Sequence, residues 1–169
     1  MDPIGPELLT RLLDEHGAAL VLFARQWCRT PEDVVQEALL SLVRQSQSPQ
    51  NVVGWLYRVV RNGAISAGRS ESRRSRRETR AAEDAKPWFH PSPEEALDAA
   101  AASAAMENLP LRQRETIVAR LWGGLSFEQI AELLDTSASS AHRWYQAGLT
   151  TLRERLDDSC PNRKNTIKG

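Results

Sequence analysis

Apolar residues recur along this chain at intervals of three and four, the period of an amphipathic helix, and the alternating runs that make strands are nearly absent. The pattern predicts a first helix from about Pro6 to Trp27. Leu9, Leu12, Leu13, Leu20, Phe23 and Trp27 fall on its buried face, and Gly17 weakens its middle. Thr30-Pro31-Glu32-Asp33 reads as a helix start, with a Thr cap, Pro in the first turn and acids at the positive end of the helix dipole. The helix that follows turns Val34, Val35, Ala38, Leu39, Leu42 and Val43 inward and leaves Asp33, Gln36, Glu37 and Arg44 outside. Ser46 to Gln50 interrupts the pattern as a loop. A third helix opens near Val52, carries Trp55, Leu56, Val59, Val60 and Ile65 inward, and runs on toward an arginine-rich stretch.

From Thr79 to Pro93 the chain turns polar and proline-bearing, which predicts a linker between domains. Ser92-Pro93-Glu94-Glu95 matches a capping box and begins an alanine-rich helix through about Glu107. Pro110 opens a helix that stops at Gly123-Gly124. Ser126-Phe127-Glu128-Gln129 is a second capping box, starting a short helix to Leu134. After a turn at Asp135-Thr136-Ser137, a last helix reaches about Leu156, with Ala141, Tyr145, Leu149, Leu152 and Leu156 on one face. The expected fold class is all-α: two small helical domains on a flexible linker, the C-terminal one a helix-turn-helix. The expected boundaries are residues 1–78, a linker over 79–100, a second domain over 101–158, and a disordered tail over 159–169.

Composition narrows the function. The formal net charge of zero argues at first against a nucleic-acid binder, but distribution matters more than the total. Between Arg58 and Arg80 lie eight arginines against Glu71 and Glu78, a local excess of six positive charges that acids elsewhere cancel. No apolar run suits a membrane span, and Met1-Asp2-Pro3 lacks the positive start of an export signal, so a cytoplasmic protein is expected. Cys28 and Cys160 stand in unrelated contexts and read as free thiols. His16, His90 and His142 are scattered, so neither a metal nor a cofactor is expected. With no nucleophile–base set and no glycine-rich phosphate loop, an enzyme is not expected either.

The helix-turn-helix layout places Ser137, Ser139, Ser140, His142 and Arg143 on the first turns of the last helix, where side chains reach base edges and phosphates of the major groove. The residues around it are more specific than the layout. Leu109-Pro110, Arg114-Glu115, Leu125-Ser126, Glu128-Gln129-Ile130-Ala131-Glu132-Leu133-Leu134 and the closing Leu152-Arg153-Glu154-Arg155-Leu156 resemble the promoter-reading C-terminal domain of bacterial sigma factors. Asp33-Val34-Val35-Gln36-Glu37 independently resembles that family's polymerase-docking helix. Trp55-Leu56-Tyr57-Arg58-Val59-Val60-Arg61-Asn62 and the basic residues after it resemble the helix that engages melted promoter DNA. With both matches in order, the chain resembles an extracytoplasmic-function sigma factor over about Leu8–Arg77 and Ala105–Leu156.

The resemblance implies a transcription initiation factor that binds core RNA polymerase and directs it to promoter DNA, with an anti-sigma factor as a further partner. It implies Asp33, Gln36 and Glu37 for polymerase contact, and Asn51, Arg58, Arg61, Asn62, Arg69, Arg73 and Arg74 for melted DNA. Arginines suit the phosphates and the Ser46–Asn51 loop a flipped base. The chain departs from the family where Ala138-Ser139-Ser140 replaces a Gly-Thr/Ser-Val start, where Arg143-Trp144-Tyr145-Gln146-Ala147-Gly148-Leu149 carries few basic residues, and at Ser66, where an acid is common. Fewer phosphate contacts imply weaker, less salt-dependent binding by the last helix. The alternative is a stand-alone helix-turn-helix regulator whose N-terminal half senses a ligand or dimerises.

Overall fold

The computed structural model describes residues 4–77 and 96–159, all of whose regular structure is helical. The helices are α1 (Pro6–Ala24), α2 (Pro31–Val43), α3 (Val52–Arg77), α4 (Ala96–Glu107), α5 (Leu111–Ile117), α6 (Phe127–Leu134) and α7 (Ala138–Ser159), with a π-helical turn (Val118–Trp122) continuing α5. Residues 79–95 of the expected linker, with the capping box at Ser92–Glu95, and the residues beyond 159 lie outside the described residues, while residues 96–100, also expected in the linker, already belong to α4.

Helices α1, α2 and α3 pack mutually around Leu20, Phe23, Val35, Ala38, Leu42, Leu56, Tyr57, Val60 and Ala64, which are buried. Pro6 and Pro31 each sit in the first turn of a helix, where the missing N–H costs nothing. Thr30 makes no side-chain capping bond, so Pro31 and the acids Glu32 and Asp33 set that start instead. Leu13 and Val43, expected in the core, stand 52% and 46% exposed. Each lies at the edge of its apolar stripe, and the neighbouring helix does not reach that far round. Helix α3 runs past the end of α1 at Gly68, where an added Cβ would overlap the carbonyl oxygen of Trp27. Just beyond, both carboxylate oxygens of Glu71 accept the Arg29 N–H at 3.2 Å, tying α3 to the turn between α1 and α2.

Helix α7 packs on α4, α5 and α6. The Ser126 capping box is complete: Gln129 N–H donates to Ser126 Oγ at 3.2 Å, and Ser126 N–H donates to Gln129 Oε1 at 2.8 Å. The stop at Gly123-Gly124 is real, with Gly124 at φ +66°, but the chain reaches it through the π turn, where Gly123 N–H donates to Val118 O at 3.1 Å. Leu156, placed on the inner face of the last helix by its spacing, is exposed near the C-terminal end of α7. Several basic side chains here serve the fold. Arg120 donates to Leu125 O at 2.8 Å and lies over Phe127, and Arg112 donates to Leu134 O at 3.2 Å and lies over Trp144.

The two halves share one core. Helix α1 packs against the π turn and α3 against α6, so one apolar cluster runs from Leu12 to Ala141.

Candidate nucleic-acid interface

Three helices each present one polar stripe. On α2 the stripe is Asp33, Gln36 and Glu37, all exposed, at helical spacing. Glu37 pairs with Arg44 at 3.2 Å, a solvent-exposed bridge worth at most about 1 kcal/mol, so it yields readily to a partner. The same face continues through Leu40 and Val43, both exposed. Reading the pattern for the core missed Leu40 altogether. Its position one turn after Gln36 was the available signal.

On α3 the exposed stripe is Arg58, Asn62, Arg69 and Arg73. Asn62, Ile65, Ser66, Arg69 and Arg73 line an open cleft of about 430 Å³, with Arg73 donating to Ser70 Oγ at 3.2 Å and Arg74 exposed beside it. Two expected members of this group are engaged elsewhere. Asn51 caps α3, its Oδ1 accepting Gly54 N–H at 2.9 Å. Arg61 lies on the inner face with Tyr57 and Ala64, and its Nε donates to Glu115 Oε1 at 2.8 Å. The step of four from Tyr57 to Arg61 to Ile65 hinted at this only once Tyr57 was known to be buried.

The α6–α7 pair is joined by a tight turn in which Asp135 takes a left-handed conformation at φ 54° and Thr136 N–H donates to Ala131 O at 2.9 Å. Asp accepts that conformation better than most residues, because its short side chain interacts locally with the backbone. Ser137 then caps α7: Ser140 N–H donates to its Oγ at 3.1 Å, and its hydroxyl also meets those of Ser139 and Ser140 at 3.1 and 2.9 Å. Arg143 donates to Ser140 Oγ at 3.3 Å. His142 stacks edge-on against Phe127, ring centroids 5.0 Å apart, and is exposed. The outward stripe of α7 is therefore Ser139, His142, Arg143 and Gln146, held over a braced α6. Gln146 escaped attention in the sequence because it belongs to the poorly basic stretch. Its carboxamide suits adenine edges.

Cys28 is buried, and burial together with the nearby Glu71 carboxylate pushes its thiol up from 9.0 to about 11, so it stays protonated and inert near neutrality. Among the described residues no cluster of His, Cys, Asp or Glu is placed to hold a metal ion, and no helix is long and apolar enough to cross a membrane.

Two small helical units, the second a helix-turn-helix with its second helix turned outward, define an all-helical DNA-binding protein. The Sigma-70 region 2 model matches residues 12–74 and the Sigma-70 region 4 model residues 99–152. The chain belongs to the sigma-70 family, and it directs RNA polymerase to promoters. In fold it is similar to the sigma factor RpoE of Bartonella quintana, solved in complex with the anti-sigma factor NepR. The TM-score is 0.68 at 20% identity, covering 95% of this chain and 100% of that one. No curated protein sequence matches it.

Proposed function

We propose that the three stripes divide the work of initiation. The α2 face of Asp33, Gln36, Glu37 and Leu40 docks on core RNA polymerase. The α3 stripe of Arg58, Asn62, Arg69 and Arg73, with Arg74 beside it, holds the melted promoter strand and assists opening, and Asn51 caps the head of that helix. The α7 stripe of Ser139, His142, Arg143 and Gln146 reads the upstream duplex element, with Ser137 and Ser140 shaping its first turn. Residues 1–78 and 101–158 are then the two functional domains. Such a protein works in the cytoplasm beside polymerase and has no need of catalysis of its own. By its likeness to RpoE, an anti-sigma factor is a natural further partner.

The observation that carries this reading is that each stripe is exposed at helical spacing while the opposite face of the same helix is buried. Reconstitution with core polymerase on a promoter library tests it. Gln36→Ala with Glu37→Ala should weaken polymerase binding while the fold melts unchanged. Arg58→Ala should reduce open-complex formation more than polymerase binding. Arg143→Ala should lower upstream-element selectivity by roughly 10- to 100-fold, the weight of one good base contact. A wild-type chain that ignores polymerase but shifts duplex DNA as a dimer sinks this reading in favour of a stand-alone regulator.

A further inference from the structure

The side chains of the α7 stripe are held in different ways. Ser139 and Arg143 lean on hydroxyls, Ser139 against Ser137 at 3.1 Å and Arg143 on Ser140 at 3.3 Å. A hydroxyl rotates to suit its neighbour and fixes little. His142 is held by a ring. Its imidazole meets Phe127 in a T-shaped contact, with centroids 5.0 Å apart and planes at 79°. Phe127 has two further partners. The Tyr145 ring lies 5.6 Å away at 66°, and the Arg120 guanidinium lies over the Phe127 ring, 4.9 Å from its centroid. Arg120 is anchored in turn, because its Nη1 donates to Leu125 O at 2.8 Å, just before the cap of α6.

A line of contact thus runs from the π turn through Arg120 and Phe127 to His142, crossing from α6 to α7. Phe127 cannot turn without losing at least one of its three partners. His142 nevertheless stays exposed, so packing sets the direction of its ring while part of it remains open to a ligand. An imidazole always carries at least one N–H donor. A ring that swings freely offers that donor to any acceptor and selects little, whereas a fixed ring aims it. In the major groove guanine presents two acceptors, N7 and O6, while adenine sets a donor beside its N7. An aimed donor therefore favours guanine. Because the side chain is ordered before DNA arrives, binding does not lose affinity to its ordering.

We propose that His142 is the specificity-determining residue for one guanine of the upstream element, and that Arg120 and Phe127 are positioning residues that aim its ring. This rests on the reading of α7 given above and names how one member of that stripe selects its base. Arg120, although basic and next to the reading helix, then acts through Phe127 and touches no DNA.

The test uses the full-length chain with core polymerase on a promoter library randomised through the upstream element, read position by position. His142→Ala should lower a guanine preference at one position by about tenfold, toward the low end for one base contact. Phe127→Leu keeps apolar bulk against Tyr145 and removes the ring. It should lower the same preference by about three- to tenfold, the scale of ordering one side chain, and leave the position governed by Arg143 unchanged. Phe127→Tyr, which keeps the ring, should behave as wild type. The double variant His142→Ala with Phe127→Leu should lose no more than His142→Ala alone. In the free protein, NMR couplings of the His142 side chain should report one rotamer in wild type and averaging in Phe127→Leu. An averaged wild-type ring, additive losses in the double variant, a lost preference for a base other than guanine, or equal losses at every position overturns the proposal. If Phe127→Leu fails to fold, Arg120→Gln, which leaves the ring and removes the cation over it, decides by the same two readouts. A wild-type complex with no upstream preference overturns the reading of α7 and this inference with it. A wild-type preference that persists in His142→Ala overturns this inference alone.

Discussion

Replacing glycine by alanine inside a helix ordinarily adds about 1 kcal/mol, because alanine has the higher helix propensity. Gly68 and Gly17 both lie within helices of this protein, and the structure assigns them opposite outcomes. At Gly68 a Cβ would overlap the carbonyl oxygen of Trp27 and lie 3.1 Å from its carbonyl carbon. That obstacle is backbone, so no rotamer change relieves it, and α3 must retreat by about an ångström to restore normal contact. The retreat loosens α3 from α1 where Phe23, Leu56, Tyr57, Val60 and Ala64 have no exposed surface. Overpacking of this kind costs about 3 kcal/mol. After the gain in propensity, Gly68→Ala should destabilise the chain by about 2 kcal/mol, lowering its melting temperature by about 4–8 °C for a protein of this size. At Gly17 the new methyl meets only Leu13 Cδ1 at 3.1 Å, the end of a flexible side chain that is 52% exposed and free to swing. Gly17→Ala should therefore stabilise by up to about 1 kcal/mol. Thermal unfolding followed by helical circular dichroism measures both. A Gly68→Ala protein as stable as wild type, or a Gly17→Ala protein that loses as much, would refute the packing argument. Since Arg58, Asn62 and Arg69 ride on α3, the destabilised variant should also open promoters poorly at temperatures where it remains folded.

Other expectations are simpler. Leu40→Ala, in a solvent-facing position, should leave the unfolding free energy within about 0.5 kcal/mol of wild type, and binding assays with core polymerase should show a several-fold loss. Ser126→Ala breaks the capping box and should cost about 1 kcal/mol, read as a lower urea midpoint. Cys28 has a folded-state pKa raised from 9.0 to about 11, so the stability linked to its neutral thiol is fully present below pH 9 and is lost as pH rises through about 11. Wild type should thus lose more stability than Cys28→Ala between those limits, by at most about 3 kcal/mol. In a Cys160→Ser background, native alkylation at neutral pH should be slow, and rapid modification would contradict the burial.

Much of this protein is readable from local pattern. The all-helical class, the complete capping box at Ser126–Gln129, the turn at Asp135–Ser137 and the outward stripe on α2 all arise from interactions within about four residues along the chain, which periodicity and capping chemistry report directly. What the pattern could not report is how far round each helix its neighbour reaches. Leu13 and Val43 have core spacing and yet stand in solvent, because the stripe is wider than the contact that covers it. Asn51 and Ser137 have side chains suited to nucleic acid, and local geometry commits both to capping.

Arg61 shows the division most clearly. By sequence alone it is one more cation in a run that has six charges in excess, indistinguishable from Arg58 or Arg69. Its partner, Glu115, lies 54 residues away on the other half of the chain. Helical periodicity places Arg61 on a face. Only the packing of α1 and α3 against the second half decides that this face is an interface, because burial and charge pairing depend on surfaces brought together through space. The sequence by itself determined the helices, the Ser126 capping box and the family motifs they carry. The tertiary structure decided which of the basic groups of α3 stay exposed and which is drawn into a buried pair.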